Sequence, residues 1–388
     1  MPQANHFRHQ EYSSDAPFAK FELLEPPLPP QPGCEAFADR LAAVGVRFQQ
    51  LGVTTIGLMH GTFVGTDAFG VVREIGRMLP SLSEPLRQAG KELTDRFAGE
   101  SGNFTPEFAE LFQRHLSRDI DDPIRVTTFD WSSENNHTGR ADGAIRLIDR
   151  LFHFRSNERV LLFGHSHAGN VFAIVSNLLA GDQIDRDRFF DATESFYQYE
   201  NDDGRVVDLP VWERVRNQLR ELGGERRNID FVTFGTPVRY GWDPSRVNSI
   251  LHFVQHRPTA DLPIYRVPFP PVTGGDIVQQ VAVAGTDFLP YMLSRRTRLA
   301  ERKLERLLQP GLRRRQILER LRCGQRVHAD GLNLLVNYAD DPESVRAKML
   351  GHGVYTRREW LVFHAEAIAA RLPEVRSQLS GGILPDSY

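Results

Sequence analysis

The chain has 388 residues, 40% hydrophobic and 25% charged, the balance of an ordinary globular protein with room for one elaborated domain or two. A formal charge of -3 gives no general attraction to nucleic acid, and two distant cysteines, Cys34 and Cys323, exclude a disulfide framework. The polar start, Met1–Lys20, lacks the basic-then-apolar pattern of a secretory signal, so a soluble cytoplasmic protein is expected.

Residues 1–33 read as a Pro-rich tail, with Pro26-Pro27-Leu28-Pro29-Pro30 as an extended spacer ahead of a domain over 34–388. From there helices and strands alternate. A helix over Cys34–Leu51 precedes the strand Val53–Met59, and residues 68–120 read as helical with polar loops. The strand Ile124–Phe129 follows, then a helix over Arg140–Phe154 and the strand Arg159–Phe163. Further strands are Asn228–Phe234, Ser249–Gln255 and Leu332–Tyr338, before a closing helix near Arg358–Leu372. Short continuous apolar runs are what parallel strands buried on both faces require, so a mainly parallel α/β sheet flanked by helices is expected. Two segments interrupt the alternation, 181–227 with its group of aromatic residues and 262–326. Either can form a lid or cap above a site, and a surface elaboration is as ordinary a reading.

The run Gly164-His165-Ser166-His167-Ala168-Gly169 stands directly between an apolar strand and the helical run Asn170–Leu179. A serine on such a turn is lifted above the sheet edge, provided that the residues two before and two after it are small, here Gly164 and Ala168. The helix start then aims backbone N–H groups at charge developing beside Ser166, and the N–H of His167 is the expected first oxyanion donor. Upstream, His60-Gly61-Thr62-Phe63 ends a strand, where the N–H of Thr62 or Phe63 can supply the second. The general base should be a histidine beyond the last strand. His328 precedes that strand and His364 falls inside the closing helix, which leaves His352 in the loop Gly351-His352-Gly353-Val354-Tyr355. The acid should follow a strand between Ser166 and His352. Asp261 is the first choice, with Asp287 and then Asp243 as alternatives.

Together the GHSHAG turn, the HGTF turn, Phe234-Gly235-Thr236-Pro237 and the HGVY loop resemble the esterases and lipases of the α/β-hydrolase superfamily. Phe129-Asp130-Trp131-Ser132-Ser133-Glu134-Asn135 is similar to the strand and loop of some lipase-like members. The likeness covers about residues 50–372, and Ala168 departs from the second glycine of G-x-S-x-G. It implies an α/β-hydrolase fold with its insertions as a lid or cap. It also implies acyl transfer to water through an acyl-enzyme on Ser166, with His352 as base and then acid, on a small-molecule or lipid-like ester. A thioesterase, amidase or acyltransferase on the same site, or a non-catalytic binding protein on this scaffold, are the alternatives.

No cofactor is expected. His60, His165 and His167 are without the spacing or carboxylates of a zinc site, and no nucleotide fingerprint occurs. The stretch Arg295–Arg326 carries twelve arginines and lysines against three glutamates. Anionic lipid or an acidic substrate could meet it, but a solvated, salt-bridged face is the expected reading, so membrane contact is not indicated.

Overall fold

The computed structural model describes residues 7–9, 19–61, 104–200, 206–223, 226–266, 275–276, 278–279, 282, 294–309, 326–338 and 351–380. Its strands are β1 (Lys20–Leu24), β2 (Val53–Met59), β3 (Arg125–Phe129), β4 (Arg159–His165), the short β5 (Gln198–Glu200) and β6 (Val206–Asp208), β7 (Ile229–Phe234), β8 (Ser249–Gln255) and β9 (Leu332–Val336). The helices are α1 (Glu35–Gln50), α2 (Pro106–Leu116), α3 (His137–Leu151), α4 (Ala168–Ala180), α5 (Gln183–Tyr197), α6 (Pro210–Glu221), α7 (Arg295–Leu308) and α8 (Leu361–Ser380). Seven strands form one sheet in the order β1-β9-β8-β7-β4-β2-β3, every pair parallel, and β5 and β6 make a separate antiparallel ribbon.

The twofold alternation of strand side chains divides the interior into two cores. Val160 and Leu162 of β4, Phe231 of β7 and Ile250 of β8 face one, covered by α3 to α7. Leu161 and Phe163, Val232 and Phe234, and Leu251 and Phe253 face the other, covered by α1, α2 and α8. The molecule is therefore an α/β protein with an open parallel sheet between two helical layers. Side-chain caps start several helices where the sequence offers Thr, Asn, Asp or Ser. Thr105, Asn136, Asp182 and Ser294 each accept a backbone N–H from the first turn.

Among the described residues the expected strands recur within a few residues of their anticipated bounds, and the closing helix runs on to Ser380; of 68–120, read as helical, α2 is the described helix and 68–103 lie outside the described residues. Two features differ. Lys20–Leu24, inside the segment read as a tail, is an edge strand paired with β9, and Phe7 is buried in the α3–α7 core. The described aromatic side chains of 181–227, read as material for a lid or surface elaboration, point inward. Phe189, Phe190, Phe196 and Tyr197 are buried around Trp212, with the Tyr197 and Trp212 rings stacked at 4.8 Å. Stacked and edge-on rings at these distances are core packing.

Topology fixes where a site can form. From β2 the chain moves outward to β3, then returns across β2 to β4 and continues to β7, β8 and β9. The connections leaving β2 and β4 diverge to opposite faces, which opens a crevice at their carboxyl ends. Gly61 and Ser166 lie there.

Candidate active site

Ser166 occupies the turn between β4 and α4 with φ of 54°, one of two non-glycine residues of positive φ among those described. The left-handed conformation costs a residue with a Cβ about 1–2 kcal/mol, so the surroundings must hold it. Both of its peptide groups are tied. Its N–H donates to the Phe234 carbonyl at the end of β7 (2.8 Å), and its carbonyl accepts from Thr236 Oγ1 (2.8 Å) and from the Gly169 N–H (3.1 Å). The side chain is only 5% exposed.

Close approach explains the glycines around it. A Cβ on Gly164 would come 2.5 Å from the Phe172 ring, and one on Gly169 would come 2.0 Å from Thr236 Oγ1. Ala168, the departure from the motif, is fully buried and fits. A Cβ on Gly61 would stand 2.7 Å from Ser166 Cβ, which puts the turn after β2 against this serine. His60 is anchored behind it, its carbonyl accepting from Trp131 Nε1 at 2.8 Å. Thr62 and Phe63 lie outside the described residues. His167 starts α4 with φ -65° and ψ -12°, and its side chain does not cap the helix.

His352 reaches the same edge from a 3₁₀ turn, Gly351–Thr356. Its Nδ1 meets Asp276 Oδ2 at 2.6 Å. A carboxylate only accepts, so Nδ1 carries a proton, and in the neutral ring the lone pair is on Nε2. That Nε2 is buried with no hydrogen-bond partner, and no hydrogen bond joins it to Ser166 Oγ. His165, next to the serine, steadies the turn. Its Nε2 donates to the His352 carbonyl (3.0 Å), and the two rings lie 4.5 Å apart.

Asp261, the expected acid, stands on an exposed turn beyond β8 and does not meet His352. Asp243 accepts the Ser245 N–H (3.0 Å) to cap a short turn and approaches Arg8 (3.4 Å), while Asp287 lies outside the described residues. The carboxylate against His352 is Asp276. It is fully buried. Its Oδ1 accepts the Gln279 N–H (2.8 Å), and its Oδ2 also accepts from the Tyr355 hydroxyl (3.2 Å). Burial alone would raise this carboxyl. The adjacent His352, the Gln279 N–H and Arg326 outweigh it and hold the carboxyl below its ordinary range. Arg326, itself fully buried and pushed down to about 10 by desolvation, ties Gln255 to this loop through bonds to the Gln255 carbonyl (2.6 Å) and the Asp276 carbonyl (3.3 Å).

Sequence reasoning passed over Asp276 because it took the first aspartates after each strand. The signal available was Gly274-Gly275-Asp276. Gly275 has φ of 91°, and a Cβ there would come 2.7 Å from the Gln255 carbonyl oxygen. Only glycine lets the returning loop pass so close to β8 and deliver the carboxylate.

A serine held in a strained turn, an imidazole with its outer nitrogen unengaged and a buried carboxylate on its inner nitrogen make a set suited to moving one proton. Among the described residues no group of three or more His, Cys, Asp or Glu is placed to hold a metal ion. No helix among them is long and apolar enough to cross a membrane.

No family model matches the chain, and no curated protein does. Among solved structures it is similar to an uncharacterized protein from Pseudomonas aeruginosa at 11% identity and a TM-score of 0.18. That alignment covers 93% of this chain and spans 58% of that one, a likeness too slight to carry any argument about function.

Proposed function

We propose that this chain is a serine hydrolase with an α/β-hydrolase fold, cleaving a carboxylic ester through an acyl-enzyme on Ser166. The observation that carries the reading is the positive φ of Ser166 on the β4–α4 turn, at the edge reached by the His352–Asp276 pair. Backbone strain of this kind in a non-glycine residue clusters at functional sites. Ser166 Oγ attacks the ester carbonyl carbon while His352 Nε2 takes the hydroxyl proton. The resulting oxyanion is met by the His167 N–H and by a second donor from the turn that begins at Gly61. Collapse breaks the bond to the alcohol, which leaves with the proton from His352. Water, deprotonated by the same nitrogen, then releases the acid and restores the serine. Asp276 fixes the imidazole tautomer and balances its charge while it is protonated.

The missing Ser166–His352 hydrogen bond is compatible with this chemistry, since such bonds are often long before substrate arrives. Phe189, Phe190, Phe196 and Tyr197 of the 181–227 segment are buried in the core and line no acyl site, so the reading extends to carboxylic esters without a chain length.

A fluorophosphonate probe with peptide mass spectrometry tests the proposal. Labelling at Ser166, absent in a folded Ser166→Ala variant, is expected, together with loss of turnover on simple aryl esters. A folded protein that neither labels nor turns over any ester, thioester or amide would make it a non-catalytic scaffold.

A further inference from the structure

The basic face of α7 was expected to be solvated and salt-bridged, and the second half of that expectation is not what the helix does. At 100° per residue, Thr297, Ala300, Glu301, Leu304 and Leu308 share one side, and all five are buried. Arg295, Arg298, Leu299, Arg302 and Arg306 fall within about 100° of arc on the opposite side, spread over about 16 Å of axis. The helix is bolted down in this orientation. Glu301 accepts the His137 and Thr138 N–H groups at the start of α3 (2.7 and 2.8 Å). Ser195 of α5 donates to the Arg296 carbonyl (3.1 Å), and Lys303 Nζ reaches the Asp191 carbonyl (3.4 Å).

Several arginines elsewhere on the surface are paired, as in Arg118 with Asp39 and Asp119, Arg214 with Asp149 and Arg371 with Glu22, whereas ones unpaired among the described residues, such as Arg114 and Arg125, stand apart from any such row. The side chains of Arg295, Arg298, Arg302 and Arg306 have no hydrogen bond or ion pair among the described residues, and Glu305 stands only at the rim of their arc. On α5, Asp187 and Asp191 are engaged by Arg216 and Arg220 of α6. A groove of about 670 Å³ runs along the stripe, lined among the described residues by Arg295, Arg296, Arg298, Leu299 and Arg302. Leu299, 48% exposed, lies between the arginine stems.

We infer that this face of α7 docks on the headgroups of an anionic phospholipid surface. Four unpaired guanidiniums in a row match a plane of phosphates, and an exposed leucine among them suits the boundary between headgroup and acyl chain. Single-stranded nucleic acid fits less well, because among the described residues no aromatic ring is an exposed large hydrophobic on which bases could stack. Since the whole chain carries a formal charge of -3, attraction is local to this stripe and sets the orientation of docking.

Flotation of the full-length protein with vesicles tests this. It should rise with phosphatidylcholine vesicles containing phosphatidylglycerol, stay behind with phosphatidylcholine alone, and detach in high salt. Each arginine near such a surface contributes about fivefold to binding, so Arg298→Gln with Arg302→Gln should weaken partition about 30-fold at an unchanged melting temperature. Arg214→Gln, on a paired arginine, should change it little. Equal binding by the double variant, or no preference for anionic vesicles, would overturn the inference. So would a protein that ignores both vesicles yet is held on heparin through the same arginines, which would assign the stripe to a soluble polyanion. Ser166→Ala should float like the parent, so this inference and the hydrolase proposal stand or fall separately.

Discussion

Two buried aspartates stand at opposite ends of the same sheet, and their partners are in opposite condition. At the amino end, Asp230 of β7 is fully enclosed, and each of its oxygens is used. Arg159 of β4 donates to both (2.6 and 2.9 Å) and the Ser249 hydroxyl to one of them (2.6 Å), while Arg159 spends a further donor on the Leu51 carbonyl (2.8 Å). Asp276, at the carboxyl edge, is equally enclosed and equally well hydrogen-bonded, but its partner His352 keeps Nε2 unengaged. Burying a polar atom without a partner costs about 1–3 kcal/mol. The Arg159–Asp230 network avoids that cost and ties β4 to β7. The His352–Asp276 network bears it beside Ser166, where an unspent lone pair can take a proton.

Substitutions of the two aspartates should therefore separate rate from stability. Asp276→Asn keeps the shape but replaces the acceptor with an amide that can hold the wrong imidazole tautomer. On the proposed chemistry kcat for an aryl ester should fall by about 10⁴-fold, with the fold retained by circular dichroism. Asp230→Ala should do the reverse. It strands a buried guanidinium and costs about 3–5 kcal/mol, read as a fall in the urea midpoint, while fluorophosphonate still labels Ser166 in the folded fraction. A large rate loss in Asp230→Ala without a stability change, or the converse for Asp276→Asn, would break the comparison. A sharper form replaces the ion pair by apolar residues of similar volume, Arg159→Met with Asp230→Leu. Some of the lost stability should return, because removing both charges leaves neither one stranded.

The same contrast explains what the sequence could reveal. The central strands were legible because Val160–Phe163 is apolar without a break and Ile229–Phe234 is interrupted only by Asp230 and Thr233, and a strand buried on both faces needs little else. The Ser166 turn was legible because its requirements are local, two small residues and a strand-to-helix change within a few positions. β1 was not, since Lys20–Leu24 is half-exposed at the edge and follows no apolar run. Asp276 was not, because a carboxylate that arrives on a returning loop obeys no periodicity. Its placement depends on Gly275, Arg326 and Tyr355, which are scattered through the chain and meet only in the fold. Glu301, which caps α3 from another helix, is hidden for the same reason.

Acid should act on both ends of the molecule through buried histidines. Burial holds His328 and His256 down to about 4, the latter helped by Arg326, and His364 down to about 3. His252, desolvated and stacked on His328 at 4.0 Å, is also held well below its ordinary 6.5. A folded value below the unfolded one favours the neutral ring. The stabilisation is complete above about pH 6.5 and is lost as pH falls toward about 4, at up to about 1.4 kcal/mol per unit for each histidine. The urea midpoint should accordingly stay level above neutrality and decline steadily below it. A midpoint unchanged down to about pH 4.5 would mean that these rings are protonated or hydrated in the native state.

The smallest effect expected comes from Tyr355, which supports Asp276 without touching the serine. Its hydroxyl accepts the Gln255 N–H (2.7 Å) and donates to Asp276 Oδ2 (3.2 Å), and burial together with the nearby carboxylate holds the phenol well above its ordinary range, so it stays a donor. Tyr355→Phe removes one of three groups on Asp276 and leaves His352 and the Gln279 N–H in place. The Gln255 N–H loses its acceptor, at about 1–3 kcal/mol of stability, while kcat should fall less than tenfold because the imidazole tautomer is still set. Measured beside Asp276→Asn, this variant asks whether the carboxylate or its orientation limits the rate. A loss near that of Asp276→Asn would make the hydroxyl the element that aims Asp276 at His352. A small one would leave that role to the loop turned by Gly275, where backbone geometry already confines the carboxylate.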